Sequence, residues 1–420
     1  MSRDRRVTAA LAAAFFLSGA AGLMYQVVWG RLLVLVFGST TIAISTVLTV
    51  FMGGLALGAW LGGRWIDRVS RPLIVYAAIE AAIALFALIV PWALDRVVPI
   101  YRMLWEQWSS SPAAWMGIRF AVVVAVLAIP TVLMGATLPV MSRALARDAS
   151  GLSSRVAAFY ALNTAGAIAG ASTTGFLWLP AFGVTPTLAV AAACNLAAGA
   201  AAWMIARRGA AAVSGTTTPP PFAGPAIDPR LIRWVSATLV VSGAAALVNE
   251  VAWSRALSLV LGSSVYAFAA MLTTFLFGLA AGAASGVRLA RRWTTGLAGL
   301  GSVQLGVGAA SLLTIGLLSS LPLVLIGAIQ QVDFLGPRAV PVVQFALAFS
   351  VMALPAYGFG LVLPAAIHAL VRDPRTVGGT VGRLYAANTV GAIAGAFAAG
   401  FLLVPRLGVQ ATLLAAAGAC

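Results

Sequence analysis

No lysine occurs in this chain, only one histidine (His368) and two cysteines, and ten acidic residues are spread over 420 positions. A single histidine leaves little for proton relay. No Ser/His/Asp set, nucleotide-binding glycine loop or acidic cluster in a soluble segment can be assembled, so no catalytic residue is expected. Cys194 and Cys420 both lie in apolar runs and form no spaced pair. Neither a disulfide framework nor a metal site is therefore indicated, and no cofactor is expected. Charged residues make up 9% of the chain and hydrophobic ones 61%, with a mean hydropathy of +1.01. A soluble globular chain carries about 25% charged and about 45–50% apolar residues. The composition excludes such a globule and defines an integral membrane protein.

What is present in quantity is arginine. All 26 basic residues are Arg, and the net charge is +16. A basic excess marks nucleic acid, acidic lipid or membrane topology. These arginines sit in short loops between apolar runs, so topology is the reading; the lipid bilayer is the expected partner and nucleic acid is not. Runs long enough to span, about 20 residues each, fall near 11–37, 41–62, 72–95, 115–140, 154–180 and 184–206. A second set falls near 234–261, 265–287, 296–320, 340–366, 379–404 and from 408 onward. Arg3, Arg5 and Arg6 before the first run imitate a secretory signal, but the run continues to Phe37 without a cleavage boundary, so a retained helix is expected. Residues 207–233, polar and Pro-rich, read as a cytoplasmic linker between a bundle at 1–206 and one at 234–420. The last run holds roughly 13 residues where about 20 are needed, so the chain is expected to stop inside its final helix.

The two sets of runs are copies. Displaced by 224 residues, Ser18-Gly19, Trp29, Arg31 and Arg64 recur as Ser242-Gly243, Trp253, Arg255 and Arg288. Displaced by 225, Tyr160, Asn163 and Gly183 recur as Tyr385, Asn388 and Gly408. Matches at a fixed offset, intramembrane Arg and Trp included, signal duplication. An even number of spans separates the copies, so the repeats are parallel. The expected fold class is all-α integral membrane, twelve transmembrane helices as two parallel six-helix repeats. Most arginines lie at the N-terminus or in loops after even-numbered spans, and basic loops face the cytoplasm, so a cytoplasmic N-terminus is expected.

Two sets of residues inside the spans stand out. Glycines stand four apart in span 2 (Gly54, Gly58, Gly62), span 5 (Gly166, Gly170), span 8 (Gly278, Gly282, Gly286) and span 11 (Gly391, Gly395). Such stripes let helix backbones approach closely in lipid; plain packing and a moving interface both fit. The intramembrane polar groups are Gln26 and Arg31 in span 1, Glu80 in span 3, Asn163 in span 5, Asn249, Glu250 and Arg255 in span 7, and Asn388 in span 11. Charges placed there usually face a cavity or a partner. Arginines that snorkel to a membrane face, or a structural bridge from Glu250, fit as well.

Gly62-Gly63-Arg64-Trp65-Ile66-Asp67-Arg68, with Arg71-Pro72, links spans 2 and 3. Twelve spans as two parallel sixes with this loop resemble the major facilitator superfamily, whose signature there is Gly, then Asp-Arg, then further Arg. The resemblance implies that Asp67, Arg68 and Arg71 form a gating loop in which Asp67 ties to a neighbouring helix end in one conformation; a solvated charged turn is the alternative. It also implies that spans 1 and 7 line a central cavity, making Gln26, Arg31, Glu80, Asn249, Glu250 and Arg255 cavity candidates. Spans 2 and 11, and 5 and 8, would join the halves, which puts the glycine stripes between them.

Longer strings resemble a narrower group. Phe16 to Arg31, Phe37 to Thr41, Met52 to Gly58 and Tyr160 to Gly170 look like the membrane part of bacterial fused major facilitator/spermidine synthase proteins. That likeness implies a multi-pass protein of the bacterial inner membrane with a cytoplasmic aminopropyltransferase-type domain, absent here, as partner. The expected function is a transporter-like module that anchors this domain and moves its substrate or product. A free-standing secondary transporter and a purely structural anchor are the alternatives. Glu250 and Glu80 stand against Arg31 and Arg255, which leans away from free polyamine and toward an anionic or zwitterionic cargo.

Overall fold

A computed structural model describes residues 3–37, 41–108, 111–146, 152–210, 228–262, 265–289, 296–335, 339–373 and 375–420. In lipid every backbone polar group needs an internal partner, which long helices provide. The first half consists of α1 (Arg3–Phe37), α2 (Thr41–Ile66), α3 (Pro72–Trp108), α4 (Pro112–Ala144), α5 (Leu152–Thr173) and α6 (Val184–Ala210). The second consists of α7 (Pro229–Leu261), α8 (Val265–Leu289), α9 (Gly296–Leu335), α10 (Ala339–Leu370), α11 (Val377–Ala398) and α12 (Val404–Ala419). No strand occurs among the described residues. Eight stretches of them are long and apolar enough to cross a membrane, the last, Val377–Ala419, taking in both α11 and α12. Residues 211–227, most of the expected linker, lie outside the described residues, as do Arg147, Asp148, Arg291 and Arg292.

Leu259, Leu305 and Leu323 are 74–75% exposed, whereas the helix contacts are filled by alanine and glycine. A surface of this kind faces lipid rather than water. Arginines near helix ends lie over tryptophans one turn away, Arg64 over Trp60 at 4.8 Å and Arg207 over Trp203 at 3.9 Å, keeping the charge at the interface.

Duplication survives in detail. After α5 the helix widens into a π-turn at Thr174–Trp178, and after α11 into one at Ala399–Leu403, the same site displaced by 225. Each is followed by a proline, Pro180 or Pro405, and a glycine with φ +78°, Gly183 or Gly408, where the chain reverses. A side chain at that φ is strained, so glycine is required there.

Within the first half α2 packs on α4, α1 on α5 and α6, and α3 on α4 and α6; within the second α8 packs on α10, α7 on α11, and α9 on α10. The halves meet through α2 with α11 and α5 with α8, supported by α4 with α11 and α5 with α10. The glycine stripes expected in those contacts instead lie inside the halves. A Cβ on Gly58 would meet the Val132 backbone of α4, and one on Gly54 or Gly62 would meet Thr131 or Ala136. Gly166 and Gly170 face Phe16 and Ala20 of α1. Gly278, Gly282 and Gly286 face Ala356, Tyr357 and Pro364 of α10, and Gly391 and Gly395 face Val240 and Ala244 of α7. Residues four apart share one face of a helix, and on α2 that face is turned to α4. The neighbouring Gly63, about 100° around the helix from Gly62, is the one that faces α11, at Gly378 and Gly382.

Burial is uneven along the membrane normal. One apolar cluster includes Leu11, Ile66, Leu138 and Val156 of the first half together with Leu363, Ile367, Val377 and Val381 of the second, so both halves share it on the side that carries the N-terminus. On the opposite side Trp29, Phe51, Val90 and Leu127 form a cluster confined to the first half.

Candidate functional site

The α2–α3 loop crosses from one half to the other. Asp67 accepts hydrogen bonds from Gly378 N–H at 3.0 Å and Gly379 N–H at 2.7 Å. Those amides belong to the first turn of α11, where N–H groups lack helical partners and the macrodipole favours an acidic side chain. Glycines are needed there because Ile66 and Asp67 themselves occupy the space a Cβ would take. Burial pushes the Asp67 carboxyl above its ordinary value, outweighing the two N–H bonds and the Arg143 guanidinium, which pull it down. Beside this contact lies a cavity of about 450 Å³ walled by Trp60, Arg64 and Asp67 from the first half and Gly379, Thr380 and Arg383 from the second. Arg68 and Arg71, the other two residues expected to gate, are exposed and do not line it.

Deeper in the molecule is a smaller cavity of about 90 Å³. Its polar wall is made of Ser18, Thr137, Tyr160, Asn163 and Asn195 from the first half and Tyr385 from the second, with Phe51 and Met134 as apolar surface. Tyr160 and Tyr385 are equivalent positions of the two repeats, here brought to one space. Asn163 donates to Phe15 O at 3.0 Å, fixing α5 on α1. No charged side chain lines this wall.

Directly behind it is Glu80. The carboxyl is 0% exposed, and Asn195, 1% exposed, donates its amide to Glu80 Oε2. Ser18 and Tyr76 bring hydroxyls to the same carboxyl. Glu80 Oε1 and Asn195 Oδ1 are buried without a hydrogen-bond partner among the described residues.

Of the six cavity candidates read from the sequence, none lines either cavity. Glu80 comes nearest, through Asn195. Gln26 and Glu250 are half-buried on α1 and α7, and Arg31 and Arg255 are exposed near the helix ends remote from the N-terminal side. Asn249 is buried and donates to Ala245 O within its own helix at 2.8 Å. Asn195, Ser18 and Tyr385 were missed as site residues. The recurrence of Ser18 as Ser242 was the available signal for one of them, and an asparagine inside an alanine-rich span was the signal for another.

No family model matches the sequence, and no curated protein matches it. Solved structures do. A bacterial homologue of the iron transporter ferroportin in an outward-facing state with soaked iron superposes with a TM-score of 0.61 at 15% identity over 98% of this chain and 96% of that one. The human organic anion transporter MFSD10 (TETRAN) gives 0.59 at 16% over 100% and 98%. The E. coli fucose:proton symporter gives 0.56 at 13% over 98% and 95%. The chain thus has the fold of major facilitator transporters from end to end, a multi-pass helical membrane fold. At these identities the likeness defines the fold and nothing of the cargo.

Proposed function

We propose that the chain is a secondary transporter whose two six-helix halves, divided at the 207–233 linker, rock about the polar cavity at Tyr160 and Tyr385. The observation that carries this reading is the Asp67 contact to the first turn of α11. It adds a side-chain-to-backbone tie across the packed contact of α2 with α11, and such a tie can break and reform as one unit. With the N-terminus cytoplasmic, the shared apolar cluster closes the cytoplasmic side in this state. The uncharged wall of the cavity favours a small hydrogen-bonding solute without net charge, zwitterions included, over a polyamine. The test uses Met134→Cys in a background without Cys194 and Cys420, labelled by an impermeant thiol reagent in right-side-out and inside-out vesicles. A transporter labels from both faces; labelling from one face only leaves a static anchor.

A second reading rests on the strings at Phe16 to Arg31 and Tyr160 to Gly170, which resemble fused spermidine synthase proteins. On that reading this module also anchors a cytoplasmic aminopropyltransferase-type domain in the bacterial inner membrane. Co-purification of aminopropyltransferase activity with the full-length gene product supports it, and a gene product ending near Cys420 without such a companion removes it.

A further inference from the structure

We propose that Glu80 and Asn195 form a binding site for a monovalent cation, a proton or Na⁺, in the first half of the molecule. A fully buried carboxyl whose neighbours are one amide and two hydroxyls, all neutral, has an unmet requirement, because an ionised carboxylate without a positive partner is costly to bury in a membrane protein. The other titratable groups around Glu80 are Tyr76 on α3, Tyr25 on α1 and Cys194 on α6, none of them a cation. The third neighbouring helix, α4, contributes Val123, Val126 and Leu127 to the same side. No arginine faces the group among the described residues. Positive charge must therefore come from a bound species.

The donor set fits such a species. Glu80 Oε1 and Asn195 Oδ1 are both buried and both lack a partner among the described residues, and the hydroxyls of Ser18 and Tyr76 stand beside them. Four neutral or anionic oxygens are the chemistry of a hard monovalent cation, and one carboxyl is the chemistry of a proton. Access runs through the small cavity, whose wall Ser18 and Asn195 share.

The repeat supplies an internal control. Displaced by 224, Ser18 and Glu80 become Ser242 and Gln304, and Ser242 Oγ donates to Gln304 Oε1 at 3.2 Å. Displaced by 225, Asn195 becomes Cys420, whose Cβ lies near Gly308 on α9, one turn beyond Gln304. The same framework thus exists once with a carboxyl and once with an amide. Only the first version needs a cation.

Coupling that cation to cargo rests on the transport reading, but its binding does not, so the test is on binding. Purified full-length protein is assayed for saturable radioactive Na⁺ binding and, without Na⁺, for a carboxyl band that titrates in infrared difference spectra. The variants are Glu80→Gln, which copies the second half and is expected to fold, and Asn195→Ala, which keeps the carboxyl. A Na⁺ site predicts saturable binding abolished by Glu80→Gln and weakened about 10- to 100-fold by Asn195→Ala, as for loss of a supporting ligand. A proton site predicts no Na⁺ binding and a titrating band that vanishes in Glu80→Gln and shifts in Asn195→Ala. Absence of both signals in the wild type, or their persistence in Glu80→Gln, overturns the inference whether or not the halves move.

Discussion

The two halves are one design carried out twice, and they differ where chemistry is concerned. In the first, Trp29 is fully buried and stacks on Tyr25 with ring centroids 5.1 Å apart, and its indole N–H has no partner among the described residues. In the second, Trp253 donates its indole N–H to Thr314 at 3.0 Å, and Asn249 replaces the stacking tyrosine. The first half carries Glu80 where the second carries Gln304, and Asp67 where the second carries Arg291. Backbone architecture, down to the paired π-turns and the glycines at φ +78°, is held constant. Backbone packing is thus repeated between the halves, whereas these acids are not: Asp67 and Glu80 have no acidic counterpart in the second half, and Glu250 stands where the first half has Gln26.

The largest disturbance of that symmetric packing comes from bulk at the glycine stripes. Gly58→Leu and Gly282→Leu place a side chain into the Val132 and Tyr357 backbones of the same half, so each should cost about 3 kcal/mol or more. Monodisperse protein should fall sharply for both, while Gly30→Ala and Gly301→Ala, with open space beside them, stay near wild type by thermal unfolding. Folded Gly58→Leu protein held in one state would instead restore the stripe as a moving interface.

Next comes the exchange of the buried acid. Gln304→Glu introduces a carboxyl beside Ser242 alone and should destabilise by about 2–3 kcal/mol at neutral pH, while Glu80→Gln should lie within about 1 kcal/mol of wild type. Equal losses from the two changes would show that the halves tolerate charge alike. A smaller contrast is expected from the tryptophans. Trp253→Phe loses a buried hydrogen bond and should cost about 1 kcal/mol more than Trp29→Phe, since the Trp29 indole N–H has no partner among the described residues. Thermal unfolding of the two variants in the same detergent measures it.

Much of this was legible in the sequence because it depends on one-dimensional pattern. Run length and composition give the helices, and the fixed offset from Ser18 to Ser242 gives the parallel repeat and with it the fold. The loop at Gly62 to Arg68 pointed to Asp67, whose tie to a helix end is a contact the structure contains. What could not be read was direction around a helix axis. A stripe of small residues says that some helix is close and not which one, so the spacing of Gly54, Gly58 and Gly62 suits α11 as well as α4, and it is α4 that they face. The polar candidates failed for a related reason. Arg31 and Arg255 attract notice by charge, but long side chains near helix ends reach outward, whereas the neutral Asn195 and Tyr385 define the cavity because of depth and facing alone.

Asp67 accepts from two amides of the other half, and on the proposed transport reading it holds the halves together on the N-terminal side, its acceptor oxygens mattering more than its charge. Burial raises the Asp67 carboxyl when the contact is made, relative to a solvated loop near the ordinary value of 3.8. The closed state therefore binds the proton more tightly, and between those two values acidification shifts the population toward closure, while rising pH disfavours it. Asp67→Asn, which resembles the protonated form, should be milder than Asp67→Ala, which leaves two amides of α11 without acceptors at a cost of about 1–3 kcal/mol. Spin labels at the exposed Arg68 and Thr376 positions, in a background without Cys194 and Cys420, measure this directly by pulsed dipolar spectroscopy. If Asp67 holds the closed state, the parent shows one short distance, Asp67→Ala a second and longer population, and Asp67→Asn an intermediate result. An unchanged single distance in Asp67→Ala contradicts it.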